Sequence, residues 1–200
     1  MNYYQELTLI PDAEISPYFL WSKVMTQLHI GLADVKNQHD IDSIGISFPN
    51  YRYEQKDNKT LATLGNKLRI FAKSQADLDK LALPIWFARL IDYVHLTSIK
   101  AVGDKPTAHL VVRRYRHKSL HNTIKNYAKY HKISYNDAKK VCEQYPPKPI
   151  DYPYIRLKSI HSGNPFLLFI HQTCVDTPTA GAFNTYGMNN MTTANTVPHW

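Results

Sequence analysis

Apolar residues recur along this chain at two spacings, and the changes from one to the other mark out its elements. Residues 3–10 alternate, with Tyr3, Leu7 and Leu9 on one face, which predicts a strand that Pro11-Asp12 ends. Ser16-Pro17 then has the chemistry of a helix start. The Ser hydroxyl accepts a first-turn N–H, and Pro fits the first helical position, where no donor is needed. Leu20, Trp21, Val24, Met25, Leu28 and Leu32 form a wide apolar stripe, predicting a helix to about Val35. A short strand at 44–48 closed by Pro49, a polar stretch at 50–62 with an Asp57-Asn58 turn, and an alternating strand at 67–73 come next. Ser74 with Asp77 predicts a capped second helix reaching about Asp92, with Pro84 as a point of interruption. A strand at 93–102 and a hinge-like break at 103–106 complete the first half.

The order β-α-β-β-α-β predicts an α+β protein whose part to about Asp104 has the ferredoxin-like plan. That plan hosts many functions, and neither central strand carries the aromatic signature of a sheet-based RNA binder. In 105–200 the pattern gives a strand at 108–116 whose end carries Arg114 and Arg116 on one face. A helix at 120–132 and a short helix opened by Ser134 and Asp137 follow. Residues 145–153 hold four prolines and read as an extended linker. Two strands, at 154–159 and 165–172, flank a Gly163-Asn164 turn. The 178–182 loop and the polar tail after Met188 receive no element.

Charge adds a partner class. Residues 113–132 hold seven Lys/Arg, three His and three Tyr, with no acid; between Asp104 and Asp137 the Lys/Arg count is eight, equal to the net charge of +8. The rest of the chain is therefore close to neutral, and the excess makes one basic face. Cations interleaved with Tyr and Asn suit a polyanion with bases to stack and edges to bond, so nucleic acid is the first expectation, ahead of an anionic membrane surface. A solvated Lys-rich helix is the plainer alternative, but such helices normally pair opposite charges at i,i+4. No apolar run approaches the roughly 20 residues of a membrane helix, and no secretory signal is present. Cys142 and Cys174 lie far apart without CxxC spacing. No metal site or cofactor is predicted, and a cytoplasmic location is the expectation.

Five segments carry a family likeness: GISFP at 45–49, LGNKLRI at 64–70, VRRYRHKS at 112–119, RLKSIHSGNPFLLFI at 156–170 and FNTYG at 183–187. In this order, over about 3–190, they resemble the CRISPR repeat-processing endoribonuclease of subtype I-F. The resemblance implies an N-terminal ferredoxin-like domain and a C-terminal half that grips an RNA stem-loop, with the basic helix in the major groove. It also implies a metal-free cut on the 3′ side of the stem, a product that stays bound, and a place among the subunits of a CRISPR interference complex. A hairpin-capping subunit that no longer cuts is the alternative; a general nucleic-acid binder is a second.

His29, beside the apolar Leu28, would by itself fit a partly buried packing residue; the resemblance makes it the catalytic histidine, acting as base or acid on a ribose 2′-OH. Ser159, otherwise an ordinary strand-end serine, matches the group implied to hold that 2′-OH in line. Tyr186 matches the tyrosine implied to orient the imidazole by hydrogen bonding. His161 stands where the family has a second serine, and phosphate contact, acid/base work and a turn role all stay open for it. Arg114 matches an arginine, and Arg116 replaces a glutamine; arginine favours guanine where glutamine favours adenine. Arg113, Lys118, His121, Asn122, Lys125, Lys129 and Lys132 are further RNA contacts. Lysines in the helix predict backbone grip with steep salt dependence. Phe166 matches an aromatic implied to stack at the foot of the stem, although a core role suits its apolar strand almost as well.

Overall fold

The computed structural model describes residues 1–57, 59–116, 120–145, 151–160, 162–190 and 192–200; Lys118 and His161 lie outside them. The chain is mixed α/β with antiparallel sheets. It forms two compact units, Met1–Tyr115 with Tyr152–Trp200, and Arg116–Asp151.

The first unit opens with β1 (Tyr3–Leu9), α1 (Pro17–His39), β2 (Gly45–Ser47), β3 (Arg52–Lys56), β4 (Lys59–Thr63) and β5 (Lys67–Ala72). Next come α2 (Gln75–Leu81), α3 (Leu83–Phe87), β6 (Val94–Leu96) and β7 (Lys100–Ala101). One sheet runs β2-β5-β1-β6, with β7 also pairing β1. The Ser16 hydroxyl caps α1 by accepting the Tyr18 N–H at 3.3 Å, and the whole predicted stripe from Leu20 to Leu32 is buried. The helix outruns its apolar pattern to His39. Its last turn is polar and supported by Gln38 donating to Asp34 at 2.7 Å, an i,i+4 pair.

Three predicted elements differ in detail. The helix expected to reach Asp92 breaks at Ala82, which adopts φ 47°, so that Pro84 can open α3 as a helix start. The Leu81 carbonyl left at that break accepts the Trp86 indole N–H at 2.9 Å. The strand expected at 93–102 is two pieces along one edge of β1, parted where Thr97 turns its hydroxyl to accept the Glu6 N–H. Residues 50–62, expected as polar connection, hold most of a hairpin, β3 against β4. Its strands are exposed on most positions of both faces, so no alternation betrays them.

The other large sheet is ordered β11-β8-β10-β9, from β8 (Ala108–Tyr115), β9 (Tyr154–Lys158), β10 (Pro165–Val175) and β11 (Val197–His199). Ile155, Leu157, Leu168 and Ile170 join α1 and the first sheet in one hydrophobic core. Gln172 completes the join by imitating a strand: its side chain accepts the Phe48 N–H at 2.7 Å and donates to the Phe48 carbonyl at 3.0 Å. The tail left without an element is folded. Asn189 is buried, donating to the carbonyls of Val112 and Asn195 and accepting the Asn195 N–H, and Val197 pairs with Leu110. A buried amide with its hydrogen bonds made is stable in a core, but hydropathy reads it as surface.

The second unit holds α4 (Leu120–His131) and α5 (Tyr135–Gln144). Ile124 packs with Ala138 and Cys142 in a small core of its own. The Ser134 hydroxyl caps α5, accepting the Asp137 N–H at 3.1 Å. Among the described residues no helix is long and apolar enough to cross a membrane.

Candidate active site

The turn that faces His29 follows from its sequence, FNTYG. The Asn184 side-chain oxygen accepts the Tyr186 N–H at 2.8 Å, and the Asn184 carbonyl accepts the Gly187 N–H at 2.8 Å, closing a tight Asx turn. Gly187 sits at φ +70°, and a Cβ there would lie 2.6 Å from Ile46 Cγ2, so glycine alone fits both backbone and space. The Gly187 carbonyl accepts the Ile46 N–H at 2.9 Å, which fastens the turn to β2.

This turn presents two groups to α1. The Thr185 carbonyl lies 2.8 Å from His29 Nδ1. The Tyr186 ring stacks on the imidazole, 4.0 Å between centroids with planes 4° apart. His29 is half-buried beside the fully buried Leu28. A carbonyl can only accept, so Nδ1 is the donor in this contact, and in the neutral form of the ring the electron pair lies on Nε2. The resemblance implies that Tyr186 orients the ring by hydrogen bonding; in this structure its ring is stacked on the imidazole, and the Thr185 carbonyl is the hydrogen-bond acceptor beside Nδ1.

Tyr186 is half-buried, and burial raises its phenol above the ordinary value, while the nearby Arg114 charge works the other way. Arg114 in turn holds its guanidinium 5.0 Å from the centre of the Phe166 ring. Phe166 is in register with Leu157 on β9, two residues before Ser159. Ser159 closes the β9–β10 turn: its N–H donates to the Asn164 carbonyl at 2.9 Å and its hydroxyl accepts the Ser162 N–H at 3.2 Å. Its own O–H is a donor outside that accounting. The Tyr186 ring thus stacks on His29, the Arg114 charge acts on its phenol, and Arg114 lies over Phe166, which pairs with the strand that ends just before Ser159.

The sequence model of the CRISPR-associated protein family Cas_Csy4 matches residues 4–200. The chain belongs to the Csy4 family. The CRISPR-associated endonuclease Cas6/Csy4 of Pseudomonas aeruginosa (strain UCBPP-PA14) is 30% identical over 191 residues, covering 94% of this chain and 96% of that one. The protein of the same name from Escherichia coli (strain UTI89 / UPEC) is 26% identical over 190 residues, with 94% and 96% covered. A solved structure titled CRISPR associated protein Cas6 is 13% identical, covers 99% of this chain and 98% of its own, and has a TM-score of 0.35.

The remaining predicted residues of this Csy4-family chain are distributed over both units. Arg113 lies in β8 and donates twice to the Thr193 carbonyl, at 3.2 and 2.9 Å, which engages it with the folded tail. Arg116 is exposed and follows the end of β8, which stops at Tyr115, so the two arginines do not share a strand face. His121, Asn122, Lys125 and Lys129 are exposed on α4, and Lys132 follows it at φ 53°. His121 Nδ1 lies 3.0 Å from the Tyr135 hydroxyl. Sequence reasoning missed Thr185, Asn184 and Gly187. Asn and Gly three residues apart were a legible turn signal; the Thr185 contribution is a backbone carbonyl, which no side-chain pattern encodes.

Proposed function

We propose that this chain is a metal-independent endoribonuclease that cuts CRISPR repeat precursor RNA on the 3′ side of a stem-loop. Relatives named endonuclease that align over nearly their whole length support the reading. The observation that carries the chemistry is the His29 corner, a histidine with Nδ1 committed to the Thr185 carbonyl and its ring plane set by Tyr186. In our scheme Nε2 takes the proton of a ribose 2′-OH. The freed oxygen attacks the adjacent phosphorus, the bond to the 5′ oxygen of the next nucleotide breaks, that oxygen takes a proton from water, and Nε2 returns its own to solvent. The ends are a 2′,3′-cyclic phosphate and a 5′-hydroxyl. Ser159 donates its hydroxyl to hold the 2′-OH in line, and Tyr186 is a positioning residue for the imidazole.

We assign grip to α4, where exposed Lys125 and Lys129 contact phosphates, and base reading to Arg114, with Phe166 at the foot of the stem. In this reading the part to about Asp104 is a ferredoxin-like frame for the catalytic histidine. The order β2-β5-β1-β6 with α1 and α2 as crossovers supports it, the β3–β4 hairpin being an insertion. The cut guide stays on the protein, which enters an interference complex in the cytoplasm.

The test is a gel assay with a repeat hairpin RNA in EDTA, beside the same RNA carrying one 2′-deoxy nucleotide 5′ of the cut. Cleavage of the first RNA alone is the expected result. Cleavage of both would refute the 2′-OH step, and tight binding with no cleavage of either would favour the hairpin-capping alternative.

A further inference from the structure

A cleft of about 440 Å³ opens at the start of α1, between Tyr18 and Trp21 on the helix, Thr63 and Asn66 around the end of β4, and Pro153 and Tyr154 at the start of β9. Its size is that of a small-ligand site. Tyr18 is 68% exposed and Tyr154 39% exposed, so two aromatic rings at its rim are open to a partner. None of the residues lining it is acidic.

Strand β9, whose Tyr154 lines the cleft, carries two cations on its exposed face. Along β9 the side chains alternate: Ile155 and Leu157 are buried, while Tyr154, Arg156 and Lys158 are exposed on the other face. Strands β8, β9 and β10 contain no Asp or Glu. The next residue after Lys158 is Ser159. From Tyr154 to Ser159 is about 16 Å at the rise of a strand, and from Tyr18 to His29 is about 16 Å at the rise of a helix. At the 3.4 Å spacing of stacked bases, that length takes about five nucleotides.

We propose that this cleft is a binding site for a base of the single-stranded RNA that flanks the hairpin, with Arg156 and Lys158 holding the phosphates between it and Ser159. Unpaired bases are bound by stacking on exposed aromatic rings above a cationic backbone track, and the arrangement here supplies both. This rests on the hairpin-cleaving reading above, because Ser159 is where the track ends. It adds a second grip that reads no duplex and acts on the flank.

Fluorescence anisotropy tests it with three RNAs, each blocked by a 2′-deoxy at the cut: the bare repeat hairpin, the hairpin with five extra nucleotides 5′, and the hairpin with five extra nucleotides 3′. One flank is expected to tighten binding about tenfold over the bare hairpin, and the arm that does so identifies which strand occupies the cleft. Tyr154→Ala is expected to abolish that gain while leaving the bare-hairpin Kd unchanged, and Tyr154→Phe to keep it. The double variant Arg156→Gln, Lys158→Gln changes only exposed side chains and is expected to reduce the gain, steeply so at low salt. Equal Kd values for all three RNAs, as a protein segment seated in the cleft would give, overturn the proposal. So does a gain that survives Tyr154→Ala. If the bare hairpin does not bind at all, the hairpin reading fails instead. A labelled free five-nucleotide RNA then tests the cleft alone by anisotropy, and absence of any binding that Tyr154→Ala removes overturns it.

Discussion

Around His29 the ring plane, one ring nitrogen and the facing turn are each fixed by a neighbour, and the turn is itself fastened to β2. Along α4, by contrast, Lys125 and Lys129 are exposed, and among the described residues no ion pair involves them. The first region depends on geometry. In the proposed mechanism the acceptor nitrogen must be within hydrogen-bond reach and correctly aimed, and stacking and a backbone carbonyl are both directed at this one side chain. The second depends on charge. In the proposed reading phosphates meet point cations whose long stems adapt, and α4 is anchored on one face by Ile124 and solvated on the other. Loss of function in the first region should follow distortion; in the second it should follow salt.

The sharpest break in that contrast is Gly187→Ala. A methyl group there meets Ile46 in a backbone conformation that alanine disfavours, and a loss of about 2–4 kcal/mol is expected from strain and overpacking together. Urea denaturation measures it, and cleavage by the folded fraction should fall as well. Unchanged stability would mean the turn is not the rigid part of the site. Next in size is Tyr186→Ala, with about a tenfold fall in kcat and no change in RNA Kd, from loss of a stacked ring. Tyr186→Phe separates the two roles for this tyrosine: near-normal kcat is expected from stacking, and a fall matching the alanine variant would restore the hydrogen-bonding role. The smallest effect belongs to Lys125→Ala. Affinity should weaken a few-fold, cleavage of bound RNA should be unchanged, and the salt slope should drop by about one contact. A changed cleavage rate at saturating RNA would join α4 to the chemistry and dissolve the contrast.

The two regions were also unequally legible in the sequence. The frame around His29 was readable where burial is periodic: the stripe from Leu20 to Leu32 spells out α1 at helical spacing, and all of it is buried. The identity of the site came from short ordered segments, FNTYG among them, and not from any pattern that hydropathy displays. The way the site holds its histidine was not readable, because the Thr185 carbonyl belongs to the backbone and the stacking of Tyr186 depends on a turn joining residues 157 positions apart. The folded tail was hidden for a related reason, since Asn189 and Asn195 satisfy each other out of water and so look polar while being core. On α4 the charge was plain in the sequence, and Ser134 caps the following helix α5 as its spacing to Asp137 predicted. What α4 touches is a property of a partner, which no internal packing records.

The most direct test is His29→Ala, assayed in EDTA for cleavage and for hairpin binding in the same samples. With His29 as the proton acceptor, cleavage should fall by about 10²–10⁴-fold while the Kd for the hairpin stays at the wild-type value. Cleavage that persists at the wild-type rate in a folded, RNA-bound variant would contradict the account and move the catalytic group away from the corner formed by α1 and the FNTYG turn.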